Sequence, residues 1–395
     1  MAVCLPRRYG RASLPVVKPT PYDNVPAWGE HLESAQYPAL VGDVRADVCV
    51  VGLGGSGLSC IHELLRLGQH VIGVDAGTVG GGAAGRNGGF LLAGTVEFYH
   101  DTVAALGRDR ARRIYQLTLD EMDHISSETP DAVWRNGSLR LADSEAEERD
   151  CQLQLAAMRN DGLSVESYEG PDGRGLLFPE DGSFNPLARC RTLARRAVEL
   201  GATLHEQSRA ISLSNGEVRT RDGRVLCKHV IVAVDGHLEL LLPELAGRVR
   251  TARLQMLGTG PAPEVDIPRP VYSRWGYDYW QQLPDGRVVI GGCRDRFVDN
   301  EWTIDTTPTT EVQQCIERVL RETVGVTQPV RHRWAAAVSY SSGIMPVMDQ
   351  VRPGVWAIGG YSGTGNVIGA LYGRMVAQIA VTGTSELLPA LAPGV

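Results

Sequence analysis

A β-branched run, Asp47-Val48-Cys49-Val50-Val51, ends in Gly52-x-Gly54-x-x-Gly57, after which Leu58, Ile61, Leu64 and Leu65 recur at helical spacing. A second apolar run, Val71-Ile72-Gly73-Val74, closes on Asp75, 18 residues beyond Gly57. Strand, glycines, helix, strand and acid in one register specify a βαβ dinucleotide-binding unit, and each residue type answers a separate physical need. Gly52 permits the tight turn, Gly54 lets the backbone approach a pyrophosphate, and Gly57 lets helix and strand pack closely. Gly55 and Ser56 complete the turn, where free N–H groups and the helix dipole favour an anion. Asp75, with Ala76 beside it, stands where a carboxylate accepts hydrogen bonds from a ribose diol.

Two more glycine-dense stretches lie far from the first. Gly82-Ala83-Ala84-Gly85-Arg86-Asn87-Gly88-Gly89 follows the βαβ unit directly, and such a loop lets backbone pass close to a flat ligand. Near the end of the chain an apolar strand runs into Gly360-Tyr361-Ser362-Gly363-Thr364-Gly365-Asn366, followed by an apolar-striped helix to about Thr382. This turn is read as a helix N-terminus aimed at the far end of the same cofactor, with a close-packed helix entry as the plainer alternative. Ala210 and Ile211, on a strand expected over 209–213, join the cofactor-binding set. Nicotinamide dehydrogenases need the first βαβ and a separate catalytic domain, whereas flavoenzymes of this layout return to the cofactor from several distant segments. The three separated clusters therefore favour FAD.

The organisation expected is α/β: a Rossmann-like FAD-binding domain from 46–100, 185–245 and 340–395, interleaved with a mixed β-sheet plus helices substrate domain from 101–184 and 246–339. Residues 1–45 read as an extended arm over the body. A long helix is expected over 102–128, a hairpin around Asn136-Gly137, a charged helix over about 144–160, and a strand-rich stretch over 249–295. A net charge of −7 with both signs mixed along the chain gives no footprint for nucleic acid or an anionic membrane. Lysine occurs only at Lys18 and Lys228, which argues against Schiff-base chemistry. The eight cysteines show no metal or redox spacing, and no apolar run reaches membrane-spanning length; free thiols, no metal and a cytoplasmic location are expected.

Asp47–Gly57, Gly85-Arg86-Asn87-Gly88-Gly89 and Tyr361-Ser362-Gly363-Thr364-Gly365 together resemble the D-amino-acid oxidase superfamily of FAD enzymes, and within it the gamma-glutamylputrescine oxidoreductases. The resemblance runs from about Tyr22 to the last helix. It implies oxidation of an amine C–N bond, imine hydrolysis and reoxidation of the flavin by O2, with the FAD held non-covalently. Two departures matter: related sequences have histidine where Thr364 stands and usually glycine where Cys293 stands.

Amino-acid oxidases of the superfamily clamp the substrate carboxylate with an arginine shortly after a tryptophan, since the guanidinium fork matches a carboxylate. The matching window, Trp334 to Ser341, holds none, so a simple α-amino acid is disfavoured and an amine such as a polyamine-like or acylated diamine compound is expected as substrate, with Arg274 or Arg333 as the residues that could supply a clamp from elsewhere. Trp275, Tyr277 and Tyr279, on one face of an expected strand, read as an aromatic wall for an ammonium-bearing chain or as ordinary sheet core. His332 and Tyr340 complete the candidate catalytic set, although His332 reads equally as structural. An amino-acid or N-methylamino-acid oxidase is the alternative enzyme, to be favoured by an arginine facing the flavin. A flavin-binding protein that has lost turnover is the alternative outside enzymes.

Overall fold

A computed structural model describes residues 22–29, 32 and 35–392 of the chain. The first of its two large sheets has six strands in the order Thr203–His205, Val71–Val74, Val48–Val51, His229–Val232, Val355–Gly359 and Val347–Arg352, all parallel except the last pair. Val48–Val51 is buried along its whole length, so its sequence is continuously apolar instead of alternating. Helices Gly55–Arg66, Pro186–Glu199 and Ile368–Thr382 cover one face, burying Leu58, Ile61, Leu193, Leu371 and Met375. The other face is covered through Leu40, Leu213, Val218 and Val225 by a four-stranded sheet of Gly42–Arg45, Gly223–Leu226, Glu217–Arg219 and Ser212–Ser214.

The second sheet has eight strands: Val330–Ser341, Val249–Pro261, Arg287–Gly292, Asp278–Gln282, Val271–Ser273, Ser138–Leu141, Gly173–Phe178 and Glu166–Gly170. Alternation along each strand sorts its residues into two faces. Leu139, Val271, Trp280, Ile290 and Leu257 pack under the helix Thr310–Glu322 through Val312, Ile316 and Leu320. On the opposite face the register pairs run Arg140 to Tyr272, Tyr272 to Tyr279, Tyr279 to Gly291, Gly291 to Met256 and Met256 to Trp334; further along the last two strands Arg250 pairs with Tyr340. This second face meets the loop that leaves the first sheet after Val74. A Cβ on Gly88 would lie 3.1 Å from the Tyr279 ring, and Gln281 Nε2 donates to the Gly89 carbonyl at 3.1 Å.

Several local expectations change. The helix expected over 102–128 is two, Tyr99–Leu106 and Arg108–Glu128, broken at Gly107 with φ +81°. The hairpin at Asn136-Gly137 does not form: Val133–Trp134 pairs with Gly182–Phe184 in a small sheet completed by Phe90–Leu91, whereas Ser138–Leu141 joins the eight-stranded sheet. Gly137 N–H is drawn to the Asp181 carbonyl at 2.9 Å, so a tertiary hydrogen bond overrides the local turn signal.

The expected arm is a working part of the fold where it is described; residues 1–21, 30, 31, 33 and 34 lie outside the described residues. Gly42–Arg45 is an edge strand, and Trp28 is 1% exposed among Leu187, Met256, Val289 and Trp334, its Nε1 donating to the Asn87 carbonyl at 2.9 Å. Trp28→Ala opens a large cavity and removes the partner of that carbonyl. It is expected to cost about 3–5 kcal/mol in urea unfolding at saturating FAD, with the slope of the transition unchanged.

Candidate active site

The first glycine turn is built as an anion cradle. Gly52 has φ +108°, and a Cβ there would meet the Ala233 carbonyl oxygen at 2.5 Å; a Cβ at Gly57 would overlap the Gly52 carbonyl oxygen. The helix Gly55–Arg66 has no side-chain cap, and among the described residues nothing accepts from the N–H groups of Gly54, Gly55, Ser56 or Gly57. A Cβ at Gly55 would project into open space. The Asp75 carboxylate accepts from Leu53 N–H and Gly77 N–H, each at 2.7 Å, which fixes the acid against the turn and leaves each oxygen a further lone pair for a ribose. Burial raises its pKa against those two bonds. Ala76 is exposed beside it; Ala210 and the 60% exposed Ile211 begin the small meander, past a segment whose Gln207 and Ser208 N–H groups bond to the Gly77 and Asp75 carbonyls.

The second glycine stretch lies against the first, with a Cβ on Gly54 only 3.1 Å from the Ala84 methyl. Gly82 opens on empty space, Ala83–Gly85 form one 3₁₀ turn, and Gly89 takes φ +69° hard against the Phe184 carbonyl. Arg86 and Asn87 spend their side chains on holding the loop. Arg86 donates from Nε to the Ala335 carbonyl at 2.9 Å and from Nη2 to Asn24, while Trp334 Nε1 donates to the Arg86 carbonyl at 2.8 Å. Asn87 Nδ2 donates to the Ala83 and Ala84 carbonyls, and its Oδ1 accepts from Gly89 N–H and from Asn366 Nδ2 at 3.2 Å.

Through Asn366 the third stretch joins the other two. Gly360 N–H and Tyr361 N–H donate to Asp235 Oδ1, Ser339 N–H to its Oδ2, and Ser362 N–H to the Ser339 carbonyl at 3.0 Å. Thr364 turns its hydroxyl back to the Tyr361 carbonyl at 2.8 Å. Gly363, with φ +97°, faces open space, and no described group accepts from the N–H of Gly363, Gly365 or Asn366. Tyr361 Oη is buried without a partner, and its ring edge and the Ser56 Cβ both lie about one van der Waals contact from where a Cβ on Gly369 would sit. Asp235 was not found from the sequence; its signal was an acid that ends the apolar run continuing through Ala233 and Val234 from the strand His229–Val232.

The candidate catalytic residues do not all converge. Residues 274–276 form a tight turn with Arg274 at φ 53° and Trp275 at φ 55°, so the expected strand begins only at Asp278. Trp275, 46% exposed, is tied by its Nε1 to Asp150 and by its N–H to Glu147, away from the sheet face. Tyr277 stands half-exposed at the rim. The aromatic pair that does share the face is Tyr279 and Tyr272, both packed on Phe90. His332 lies at the far end of the strand from Tyr340, in a crevice with Thr259, Pro261, Arg287 and Arg331, about 26 Å along the strand. The two suggested clamps are engaged elsewhere: Arg274 pairs with Asp278 and Asp295, and Arg333 with Glu317. Beside Tyr340, instead, stands Arg294, its guanidinium 4.6 Å from the ring centroid. Arg294 was missed because it follows a turn rather than a tryptophan. Cys293 is buried in the core under helix Thr310–Glu322.

Three glycine segments in contact, two of them with uncommitted N–H groups, beside an aromatic sheet face are the arrangement of a flavoprotein oxidoreductase. The chain belongs to the DAO family of FAD dependent oxidoreductases, whose model matches residues 47–379. It is 26% identical to the "Probable oxidoreductase OrdL" of Rhizobium meliloti (strain 1021) over 90% of this chain and 87% of that one. It is 25% identical to the gamma-glutamylputrescine oxidoreductase of Escherichia coli (strain K12), over 91% and 88%. In fold it matches the L-proline dehydrogenase from P. horikoshii with a TM-score of 0.71 at 19% identity, over 88% of this chain and 96% of that one. The donor set fits FAD: two anion-seeking turns for its phosphates and ring, an acid for a ribose, and open space at Gly55, Gly82 and Gly363. No described helix is long and apolar enough to cross a membrane.

Gly55→Ala is expected to fold but to bind FAD about tenfold more weakly or worse by flavin fluorescence titration, whereas Gly57→Ala yields little folded protein, because only its Cβ meets backbone. Asp235 has its pKa pushed up to about 6 from 3.8, chiefly by burial and against three backbone N–H bonds. The folded state therefore holds this proton more tightly than the unfolded chain, so the group's contribution is full below about pH 4 and declines as pH rises to about 6. Asp235→Asn should remove that part of the decline when Tm is followed from pH 4 to 6.

Proposed function

We propose that the chain oxidises the C–N bond of a small amine, with FAD held non-covalently and O2 as the electron acceptor. The observation that carries this reading is the approach of the sheet face that bears Tyr279 and Tyr340 to glycine segments whose N–H groups are uncommitted at Gly54–Gly57 and at Gly363, Gly365 and Asn366. When bound, FAD supplies the acceptor for the hydride that leaves the amine-bearing carbon. In this reading Gly52–Gly57 hold the pyrophosphate, Asp75 and Ala76 border a ribose, and Ala210 and Ile211 lie along the same end. Gly82–Gly89 flank the ring and Gly360–Asn366 face its polar edge, where fixed donors stabilise negative charge. The buried position of Cys293 on the far side of the sheet supports a non-covalent cofactor.

Tyr279 and Tyr340 would line the substrate's side of the ring, and Met256 and Trp334 would exclude water beneath it. Burial raises the pKa of both tyrosines, so their hydroxyls stay protonated and orient the substrate without serving as bases. With His332 remote, the amine loses its proton to solvent, and the neutral amine is the form that reacts. The name of the E. coli relative supports a polyamine-like or acylated diamine substrate. A second reading, an amino-acid or N-methylamino-acid oxidase, is favoured by one observation: Arg294 at Tyr340.

The test is hydrogen peroxide release by the yellow protein across amines, acylated diamines and amino acids, paired with anaerobic addition of the best compound. Peroxide formation in air and bleaching of the yellow colour without air are expected from at least one class. A protein that holds FAD and does neither with any of them is a flavin-binding protein, not an oxidase.

A further inference from the structure

Asp235 is held by backbone donors and by no cation. Its Oδ1 accepts from Gly360 N–H at 2.9 Å and Tyr361 N–H at 3.4 Å, and its Oδ2 from Ser339 N–H at 3.2 Å. Ser339 also donates its hydroxyl to the Asp235 carbonyl at 2.6 Å, so side chain and backbone of the acid are both fastened to the strand Val330–Ser341. Elsewhere around the two large sheets Glu301, Asp278 and Asp349 are each paired with an arginine, Arg253, Arg274 and Arg248 in turn. Among the described residues Asp235 has no such partner. A carboxylate drawn partly out of water without a cation keeps its field, which acts on whatever lies beyond the N–H groups it holds.

The groups that face the acid leave that field in place. Glu239, on the helix Leu238–Leu241, accepts from Thr251 N–H and Oγ1 at 2.7 and 2.9 Å and adds its own negative charge. Tyr340 faces the acid from the strand Val330–Ser341 and Tyr361 from the last glycine turn, and burial raises the pKa of both, so neither hydroxyl carries charge near neutral pH. His237 turns its Nε2 to the Ile304 carbonyl at 3.0 Å, and the arginines of this end, Arg250 and Arg294, lie over the rings of Trp302 and Tyr340. The two turn residues that the acid holds, Gly360 and Tyr361, come just before Gly363, whose N–H, like those of Gly365 and Asn366, has no described acceptor. A negative charge therefore stands directly behind a turn whose remaining donors are free to meet another negative charge.

We propose that Asp235 is a positioning residue that lowers the electron affinity of the bound flavin: it fixes the last glycine turn from behind and sets a negative charge on that side of the ring, so that reduction of the flavin draws a proton onto Asp235 and reoxidation releases it. This rests on the placement of Gly360–Asn366 at the polar edge of the ring under Proposed function, and not on which amine is oxidised. A hydride brings two electrons and one proton and leaves the flavin one charge more negative; the proton taken up by Asp235 comes from water, so no further oxidant or reductant is needed. The coupling is reciprocal, since charge on the ring raises the affinity of the acid for its proton by the same factor as that proton raises the affinity of the ring for electrons. Burial already pushes the pKa of Asp235 up to about 6, and a further rise on reduction carries it into the neutral range. Above that range the reduced flavin is held less tightly than beside a neutral residue and passes its electrons on more readily.

The FAD-loaded protein tests this without any amine, so failure of the oxidase reading does not touch the result. Sulfite adds to oxidised flavin and leaves the ring with extra negative charge, and its binding is followed by loss of the yellow absorption. In Asp235→Asn the side-chain oxygen still accepts from Gly360 and Tyr361 while the charge is gone. This variant should bind sulfite about tenfold more tightly than the parent at pH 8, and the ratio of the two should close towards one at pH 5, where the acid of the parent is itself protonated. Taking the ratio cancels the titration of sulfite. A merely structural role predicts weaker binding in the variant by the same factor at both pH values. If the variant yields too little folded protein, the parent alone decides, through the pH dependence of its flavin reduction midpoint. The number of protons taken up per two electrons should rise as pH passes about 6 and fall again at higher pH, whereas titration of the flavin alone only lowers it as pH rises. A sulfite ratio that does not change with pH, or a proton number that never rises, overturns the proposal.

Discussion

One carboxylate joins the halves of this molecule. Asp235 leaves the six-stranded sheet after His229–Val232, and its two oxygens accept from Ser339 on the eight-stranded sheet and from Gly360 and Tyr361 in the last glycine turn. Three backbone donors on one acid cannot move independently, so the last glycine turn and the strand Val330–Ser341 share one origin of position. Asn87 and Asn366 repeat the device across the second and third glycine segments with neutral groups. The relation of the last glycine turn to the eight-stranded sheet is therefore fixed by these polar groups in addition to apolar packing such as that of Val249 against the six-stranded sheet.

What could be read in advance follows from the range of the forces involved. The βαβ unit was legible because its glycines, strand and acid are all local, and steric exclusion at Gly57 depends on the Gly52 carbonyl within the same turn, whereas the Ala233 carbonyl that excludes a side chain at Gly52 could not be read from the motif. The dense glycine loop was legible as a close approach of backbone. The work of Arg86 and Asn87 was not, because their partners Ala335 and Asn366 are hundreds of residues away. The aromatic wall failed for a local reason: Arg274 and Trp275 adopt positive φ, which breaks the alternation that would have aligned Trp275 with Tyr279.

The role of Asp235 was hidden for a different reason. The acid ends an apolar run, but its partners Ser339, Gly360 and Tyr361 lie 104 to 126 residues further along the chain. No spacing rule reports such a group. What points to it is an inequality visible only in three dimensions: acids paired with arginines around the two sheets, and this one without a cation.

The contact between Asn24 and the strand Val330–Ser341 has a consequence for how the chain reaches this state. Asn24 Oδ1 accepts from Ala335 N–H across 311 residues of sequence and also holds Arg86. During synthesis the dinucleotide turn can form as soon as its βαβ unit emerges, but the loop beside it lacks both Ala335 and Trp334 until nearly the whole chain is made. Closing so long a loop is among the slowest and most entropically opposed steps available to a chain of this size. The βαβ turn can therefore form early, whereas the loop Gly82–Gly89 beside it takes its final position only when the strand Val330–Ser341 is in place.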